Sequence, residues 1–210
     1  MSVIRAKATR VLEGIKRISK NTYLYIYGAF FTNPPVPNSP RSFLFICMGN
    51  ICRSPFAEAA VRRYFPDTEM TARSAGIIVN HSRESPPGTL AAAETFEIDL
   101  SEHRSKKIDE NLIATSDMVF GMEVWHVRSL RKTFPQYREK IFLLAPFENS
   151  PSAVYNLYGT LNIQDPYGKE LSVFIRCFER IDACLKGLFS KIQKQQKRQG
   201  HTKTVLTKES

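Results

Sequence analysis

Cys47 and Arg53 are the first and last residues of a short segment, Cys-Met-Gly-Asn-Ile-Cys-Arg, in which five residues separate the cysteine from the arginine. Helix N-termini and nearby cations favour the thiolate form of a cysteine, which is its nucleophilic form. The planar fork of an arginine holds two phosphate oxygens at once, which a lysine does less well. A thiolate beside a bound phosphoryl group can attack phosphorus and form a covalent intermediate. The pair at this spacing therefore predicts phosphoryl-group chemistry.

The residues around this pair predict a strand, a tight loop and a helix. The apolar run 43–46 is typical of a buried strand, and Gly49 and Asn50 tolerate the positive φ of a sharp turn. We expect Ser54 to be the helix N-cap and Pro55 to take the first helical position. Inward N–H groups and the helix dipole would then bind a dianion without a metal or a cofactor. The predicted phosphate-binding loop comprises Met48, Gly49, Asn50, Ile51, Cys52 and Ser54.

The segment from Cys47 to Pro55 resembles the signature of the low-molecular-weight protein tyrosine phosphatases. The resemblance covers roughly residues 42–190, and its other segments follow in the family's order. These segments are Ser74-Ala75-Gly76, Ile98-Asp99-Leu100-Ser101-Glu102-His103-Arg104-Ser105, Asp117-Met118-Val119-Phe120-Gly121-Met122 and Asp165-Pro166-Tyr167-Gly168.

The resemblance implies a two-step hydrolysis of a phosphotyrosine protein. Cys47 would attack phosphorus to form a phosphocysteine, with Arg53 and the loop amides stabilising the charge on the phosphoryl oxygens. Asp165 would protonate the leaving phenolate oxygen and then act as base for the incoming water. No cofactor and no metal are expected. In bacteria the family commonly opposes a tyrosine kinase, so a kinase is one candidate substrate.

The resemblance also implies supporting and specificity roles. Asn50 and His103 would brace the loop, and Ser74 lies where the family supports its loop. Tyr167 would form one wall of the substrate slot, and the branched Ile51 would narrow the slot's mouth and favour a flat phenyl ring. The family often has a second aromatic wall after Ser-Ala-Gly, but residues 77–85 contain no phenylalanine, tyrosine or tryptophan. We therefore expect His81 or Asn80 to line that side.

Three other functions share this type of loop. Protein-arginine phosphatases tend to carry a small hydroxyl residue where this chain has Ile51. Thioredoxin-coupled arsenate reductases relay a disulfide through two cysteines near the middle of the chain, whereas residues 98–125 contain none. A phosphate-binding module without turnover would be expected to lose the nucleophile, the arginine or the acid. By the same resemblance, Cys52 either forms a reversible disulfide with Cys47 or packs as a small residue.

The positive charge of the chain belongs to its ends. The formal net charge is +10, of which residues 1–41 and 186–210 carry +6 each and residues 42–185 carry −2. We find no nucleic-acid-binding motif and expect no nucleic-acid partner. The cysteine pattern predicts a reducing, cytoplasmic setting. We find neither a signal peptide nor an apolar stretch near the ~20 residues of a membrane-spanning helix.

The first forty residues lie outside the resemblance. Residues 3–20 have the pattern of a basic amphipathic helix, residues 23–31 are rich in aromatics, and residues 32–40 are typical of a linker. One interpretation is a peripheral membrane contact through residues 3–31. The other is a helix packed on the domain, or on a second copy of the chain in a homodimer.

Alternating strands and helices predict an α/β fold with a doubly wound parallel sheet and helices on both faces. By resemblance the sheet has four strands in the order 2-1-3-4. We divide the chain into an N-terminal helical extension and linker (1–41), one phosphatase domain (42–192) and a basic flexible tail (193–210). The closing helix is expected to end near Ile192.

Overall fold

The computed structural model describes residues 33–66, 69–148 and 161–206. The predicted amphipathic helix and aromatic segment, which fall within residues 1–32, lie outside the described residues. The strands are β1 (Ser42–Cys47), β2 (Thr71–Gly76), β3 (Met118–Gly121) and β4 (Ile141–Leu143). The helices are α1 (Arg53–Tyr64), α2 (Pro87–Glu94), α3 (Glu110–Ala114), α4 (Val124–Thr133) and α5 (Leu171–Leu206). Short 3₁₀ segments span Pro135–Lys140 and Ala145–Phe147.

The four strands form one parallel sheet in the order β2-β1-β3-β4. This confirms the predicted sheet and its strand order. β1 lies in the middle and pairs with β2 on one side and β3 on the other, so that Cys47 lies opposite Gly76 at the carboxyl edge. The connection after β1 leads to β2 on one side and the connection after β3 leads to β4 on the other, and open α/β sheets place their ligand sites at such a reversal.

Helices cover both faces of the sheet, as predicted. Because side chains alternate along a strand, Phe43 and Phe45 point to one face of β1, and Leu44 and Ile46 point to the other. The first face packs against α1 and α5, and the second packs against α3 and α4. All of β1 from residue 43 to 47 is therefore buried, which explains its continuous apolar sequence.

The closing helix α5 locks α1 onto the sheet. Phe178 is fully buried and stacks on Phe56 with ring centroids 4.0 Å apart. Cys177 and Cys184 are buried on the same helix. Residues 193–206 continue the helix to Leu206, so the predicted end near Ile192 was wrong. Lysine, glutamine and arginine in this stretch are strong helix formers, and no proline interrupts it.

The predicted linker contacts the domain at its described end. The Asn33 side-chain amide donates to the Leu143 carbonyl (2.9 Å) and accepts from the Leu143 N–H (2.7 Å), so it pairs with edge strand β4. Val36 is buried in the core. No helix within the described ranges is long and apolar enough to cross a membrane.

We predict that Phe178→Ala lowers the free energy of unfolding by about 3–5 kcal/mol, because it leaves a cavity between α1 and α5. The matched control is Arg176→Ala on the exposed side of the same helix, which should change stability by no more than about 0.5 kcal/mol. Urea titration followed by circular dichroism measures both values. Similar losses in the two variants would contradict the packing role.

Candidate active site

The loop after β1, which carries the predicted nucleophile, packs closely against the end of β2. A Cβ atom added to Gly76 would lie 2.9 Å from the Met48 carbonyl oxygen and 3.0 Å from the Asn50 nitrogen. Only glycine leaves room for the loop backbone at this separation. The loop is tied to the next segment by N–H bonds from Ile77 to the Cys47 carbonyl (3.1 Å) and from Ile78 to the Met48 carbonyl (2.8 Å).

Asn50 gives the loop its turn. Its φ is +53°, a left-handed conformation that asparagine tolerates better than most residues. This turn aims the Asn50 N–H at the Cys47 sulfur, at an N···S distance of 3.2 Å. The loop therefore delivers a backbone donor to the thiol, as expected for a site that stabilises a sulfur anion.

A directed chain of hydrogen bonds ends on the same sulfur. Asn50 Nδ2 donates to Ser54 Oγ (3.0 Å) and to Ser74 Oγ (2.8 Å). The Ser74 hydroxyl in turn donates to Glu58 Oε2 (2.5 Å). Ser54 Oγ accepts from Asn50, and its hydroxyl proton can point at Cys47 Sγ, 3.0 Å away, or at the Ala75 carbonyl, 3.4 Å away. An ionised sulfur is the stronger acceptor of the two. Two groups that can donate to the sulfur, the Asn50 N–H and the Ser54 hydroxyl, thus lie within hydrogen-bond distance of it.

This arrangement corrects the prediction for Ser54. Helix α1 begins at Arg53 with Cys52 as N-cap, and no side chain caps it. The Ser54 hydroxyl serves the sulfur and Asn50 instead of the helix end. Pro55 still falls in the first turn, where its missing N–H costs nothing.

His103 and Lys106 hold the loop from outside. The Asn50 carbonyl can only accept, so His103 Nε2 carries the proton and donates to it at 2.8 Å. Burial lowers the pKa of His103, although this hydrogen bond opposes the shift, and the ring is therefore neutral near pH 7. The Lys106 N–H donates to Asn50 Oδ1 (2.9 Å). The structure thus brings Asn50, His103 and Ser74 together around the loop.

Arg53 is a buried cation whose charge is balanced from several sides. Its side chain is 2% exposed, and Nη1 donates to Glu123 Oε1 (2.6 Å) and to the Ile163 carbonyl (3.0 Å), while Nη2 pairs with Asp165 Oδ2 (2.7 Å). Burial disfavours the charged form, but the negative groups at Cys47, Asp165 and Glu123 outweigh it and raise the pKa of Arg53. The buried Nε has no hydrogen-bond partner among the described residues.

Cys47, Arg53 and Asp165 meet at a small cavity of about 60 Å³. Asp165 is about one-third exposed, and its Oδ1 accepts the Tyr167 N–H at 3.2 Å. This hydrogen bond fixes the start of the segment Asp165-Pro166-Tyr167-Gly168, which we call the acid loop. The cavity is lined by Cys47, Met48, Gly49, Ile51, Cys52, Arg53, Arg83, Asp165 and Tyr167. The predicted nucleophile, arginine, acid and two of the slot residues are therefore together.

His81, the third predicted slot residue, does not line this cavity. It is exposed, and the neighbouring segment brings Arg83 to the cavity instead. The prediction for His81 was therefore wrong. The cause is the segment after β2, where the Arg83 N–H donates to Ser105 Oγ and the Ser105 N–H donates to the Arg83 carbonyl, which places the Arg83 side chain at the loop. No pattern near Arg83 in the sequence signals this.

Glu123 is a second residue that sequence reasoning missed as part of the site. It follows the central strand β3 and caps helix α4, where it forms a reciprocal capping box with His126. Its 2.6 Å bond to Arg53 joins residues 70 positions apart. An acidic residue just beyond the carboxyl end of a central parallel strand was the available signal, because such ends converge on the site.

His126 is fully buried behind Glu123. Its Nδ1 accepts the Glu123 N–H at 3.0 Å, so the ring is neutral with its proton on Nε2. Burial, with a smaller contribution from the Arg53 charge, lowers the pKa of His126 to about 2. A protonated His126 would add a second buried positive charge near Arg53.

Cys52 differs from Cys47 in its surroundings. Burial raises the pKa of the Cys52 thiol to about 12. It is therefore a neutral thiol near pH 7. The described cysteines are all free, and Cys52 packs in the main core cluster.

The comparison with known families agrees with this geometry. The model of the family "Low molecular weight phosphotyrosine protein phosphatase" matches residues 42–198, which include the whole loop, the acid segment and most of α5. The chain belongs to this family. The family match thus covers every site residue described above.

Among its relatives is the low molecular weight protein-tyrosine-phosphatase Wzb of Escherichia coli K12, 27% identical over 142 residues, or 68% of this chain and 88% of the relative. The protein-arginine-phosphatase of Bacillus subtilis 168 is 26% identical over 156 residues, or 73% of this chain and 98% of the relative. The crystal structure of Wzb from Escherichia coli K30 in complex with sulphate superposes with a TM-score of 0.64 at 27% identity, covering 73% of this chain and 99% of that one.

We predict that His126 makes the folded phosphatase domain sensitive to mild acid. The folded-state pKa lies below the unfolded value of about 6.5, so the stability it confers is complete above that value and is lost as the pH falls. Between about pH 7.5 and about pH 5.5 the wild type should lose about 1.4 kcal/mol more unfolding free energy than His126→Asn. Asparagine keeps an acceptor for the Glu123 N–H but does not titrate.

The control for this experiment is His81→Asn, which removes an exposed histidine and should follow the wild type. Chemical denaturation at the two pH values gives the unfolding free energies. Parallel losses in the wild type and in His126→Asn would show that the buried ring does not titrate as the structure implies.

Proposed function

We propose that this chain is a protein tyrosine phosphatase that works through a phosphocysteine intermediate. The observation that carries the proposal is the buried guanidinium edge of Arg53 at the cavity that holds Cys47. Its Nε has no partner among the described residues and its Nη2 is held only by the partly exposed Asp165. These two donors match two oxygens of a phosphoryl group. Such an edge beside a sulfur nucleophile supports binding and attack at one phosphorus atom.

In the first step the Cys47 sulfur would form a bond to phosphorus while the bond from phosphorus to the phenolic oxygen breaks. The N–H of Asn50 and the hydroxyl of Ser54 stabilise the sulfur anion before attack. Arg53 and the loop N–H groups stabilise the negative charge on the non-reacting oxygens. The product of this step is a thiophosphate ester on Cys47.

Asp165 supplies the proton that the leaving oxygen needs. In the structure its carboxylate rests on Arg53 Nη2, which is also a donor that the phosphoryl group requires. A bound dianion therefore competes with Asp165 for Arg53, and its negative charge favours the protonated carboxyl. The released Asp165 donates to the phenolic oxygen and, in the second step, accepts a proton from the water that frees phosphate.

Tyrosine is the phosphorylated residue that the slot favours. Ile51 lines the cavity with a side chain only 7% exposed, and Tyr167 faces it from the acid loop with 53% of its surface exposed. A flat phenyl ring fits between two apolar walls better than a flexible guanidinium, which needs polar partners when desolvated. The relatives include both a protein-tyrosine-phosphatase and a protein-arginine-phosphatase, so we base the choice of tyrosine on the apolar walls formed by Ile51 and Tyr167.

The physiological substrate would be a phosphotyrosine protein, with a tyrosine kinase as one candidate. A Cys47→Ser variant keeps the binding loop but lacks the nucleophile, so it can retain the substrate for identification. A cytoplasmic location, a membrane contact through residues 3–31 and a homodimer stay predictions.

We predict that the enzyme hydrolyses para-nitrophenyl phosphate in reducing, metal-free buffer and that Cys47→Ser abolishes turnover. Asp165→Asn should lower kcat by about 10²–10⁴ for phenyl phosphate, and less for the better nitrophenolate leaving group, because protonation matters most for a basic leaving oxygen. Asp99→Asn on the exposed surface is the control and should leave kcat unchanged.

Two outcomes would contradict this mechanism. If Asp165→Asn lowered kcat equally for phenyl phosphate and for para-nitrophenyl phosphate, Asp165 would not be the general acid. A wild type that binds phosphate but does not turn over either ester would favour a binding module, and thiol-dependent arsenate turnover would favour a reductase.

We predict that Ile51→Thr shifts the preference from a phosphotyrosine peptide toward a phosphoarginine peptide by about tenfold in the ratio of kcat/KM, since it removes an apolar wall and adds a polar group. Ile51→Val keeps the wall apolar and should retain the wild-type ratio. Initial rates on matched peptides measure the ratio. An unchanged ratio in Ile51→Thr would show that residue 51 does not select the leaving group.

A further inference from the structure

Arg83 lies at the mouth of the catalytic cavity without a part in the mechanism above. It lines the cavity with Tyr167 and Asp165. Its Nη2 lies 3.3 Å from the position that a Cβ on Gly49 would take, so the guanidinium rests against the outer side of the phosphate-binding loop. Arg83 is therefore the cation that a substrate chain meets on entering the slot.

The backbone of Arg83 is fixed although its side chain is exposed. The Arg83 N–H donates to Ser105 Oγ (2.9 Å), and the Arg83 carbonyl accepts the Ser105 N–H (2.8 Å). Ser105 itself is 3% exposed. These two hydrogen bonds to a buried residue hold the Arg83 backbone beside the cavity, so its side chain starts from a defined position.

The charge of Arg83 is not used within the described part of the chain. Its guanidinium forms no ion pair or hydrogen bond there, whereas the carboxylates nearest to it in sequence and in the cavity are engaged. Glu84 pairs with Arg104 at 2.9 Å, and Asp165 pairs with Arg53 at 2.7 Å. Arg53 serves the phosphoryl group at the bottom of the cavity. The remaining cation, at the rim, is available to a second anionic group.

We propose that Arg83 binds a carboxylate of the substrate, on an aspartate or glutamate that flanks the phosphotyrosine. This inference rests on the proposed function, since it concerns the substrate of the same site. A peptide segment that places its phosphotyrosine in the slot runs across the rim, where side chains next to the phosphotyrosine come within reach of the guanidinium. An acidic side chain there gains a charge-assisted hydrogen bond, and a basic one is repelled.

The test compares two phosphotyrosine peptides that differ only in carrying glutamate or glutamine beside the phosphotyrosine. The wild type should favour the glutamate peptide by about threefold to fivefold in kcat/KM, the range of an exposed ion pair. The preference should lie mainly in KM, because the contact is made equally before and during the chemical step. Arg83→Gln should bring the ratio to about one, and added salt should do the same in the wild type.

Two controls separate this role from others. Arg138→Gln removes another exposed arginine, from the segment before β4 at the opposite edge of the sheet, and should keep the wild-type ratio. Turnover of para-nitrophenyl phosphate, which has no flanking residue, should change by less than about twofold in Arg83→Gln. A larger loss with this small substrate would place Arg83 on the phosphoryl group and overturn the inference, as would a glutamate preference that survives in Arg83→Gln.

Binding measured with Cys47→Ser separates the inference from the proposed function. A twofold or greater preference for the glutamate peptide in Kd, lost in Cys47→Ser/Arg83→Gln, supports the inference even if the wild type proves to lack turnover. Turnover of both peptides without a preference in KM or Kd overturns the inference and leaves the phosphatase activity standing. Absence of both binding and turnover overturns both.

Discussion

The buried charge of Arg53 is the constraint that organises the rest of the site. A guanidinium with 2% of its surface exposed loses most of its hydration, and an uncompensated charge in that position would be strongly destabilising. The fold supplies the compensation from three places in the chain: Glu123 at the start of α4, the Ile163 carbonyl and Asp165 in the acid loop. The charge that we propose to bind phosphate therefore also holds the segment of Asp165 against the end of the sheet.

The second constraint is the geometry of Asn50, which joins the loop to its surroundings through each of its polar atoms. Its N–H donates to Cys47 Sγ and its Nδ2 donates to Ser54 Oγ, while its two oxygens accept from His103 and Lys106. A loop fixed at one residue in this way needs little reorganisation when an anion binds, which is the condition for electrostatic stabilisation to lower a reaction barrier. The structural role of asparagine here follows from its tolerance of positive φ and its four hydrogen-bonding positions.

The sequence predicted those features that depend on local pattern. The continuous apolar run 43–46, the glycine and asparagine of the loop, and the alternation of strands with helices were sufficient for the sheet and for the placement of Cys47 and Arg53. Local patterns could not predict Glu123 or Arg83, because their roles arise from contacts with the loop, distant in sequence. The error at Ser54 has the same cause: an N-cap residue type was present, but a longer-range network claims its hydroxyl. The end of α5 was missed for the opposite reason, since good helix formers continue the helix beyond the point where apolar periodicity stops.

In the proposed mechanism, the pairing of Asp165 with Arg53 would link substrate binding to proton transfer. One Arg53 donor serves the acid in the structure, and the proposed mechanism requires the same donor for the phosphoryl group. An anion that enters the cavity must displace the carboxylate, and it places negative charge next to the group that has to carry a proton. In the proposed mechanism, Arg53 would thus bind the phosphoryl group only as the Asp165 carboxyl becomes free to act as an acid. Glu123 makes this exchange tolerable, because it keeps one carboxylate on Arg53 throughout and so prevents the guanidinium from being left unbalanced when Asp165 moves.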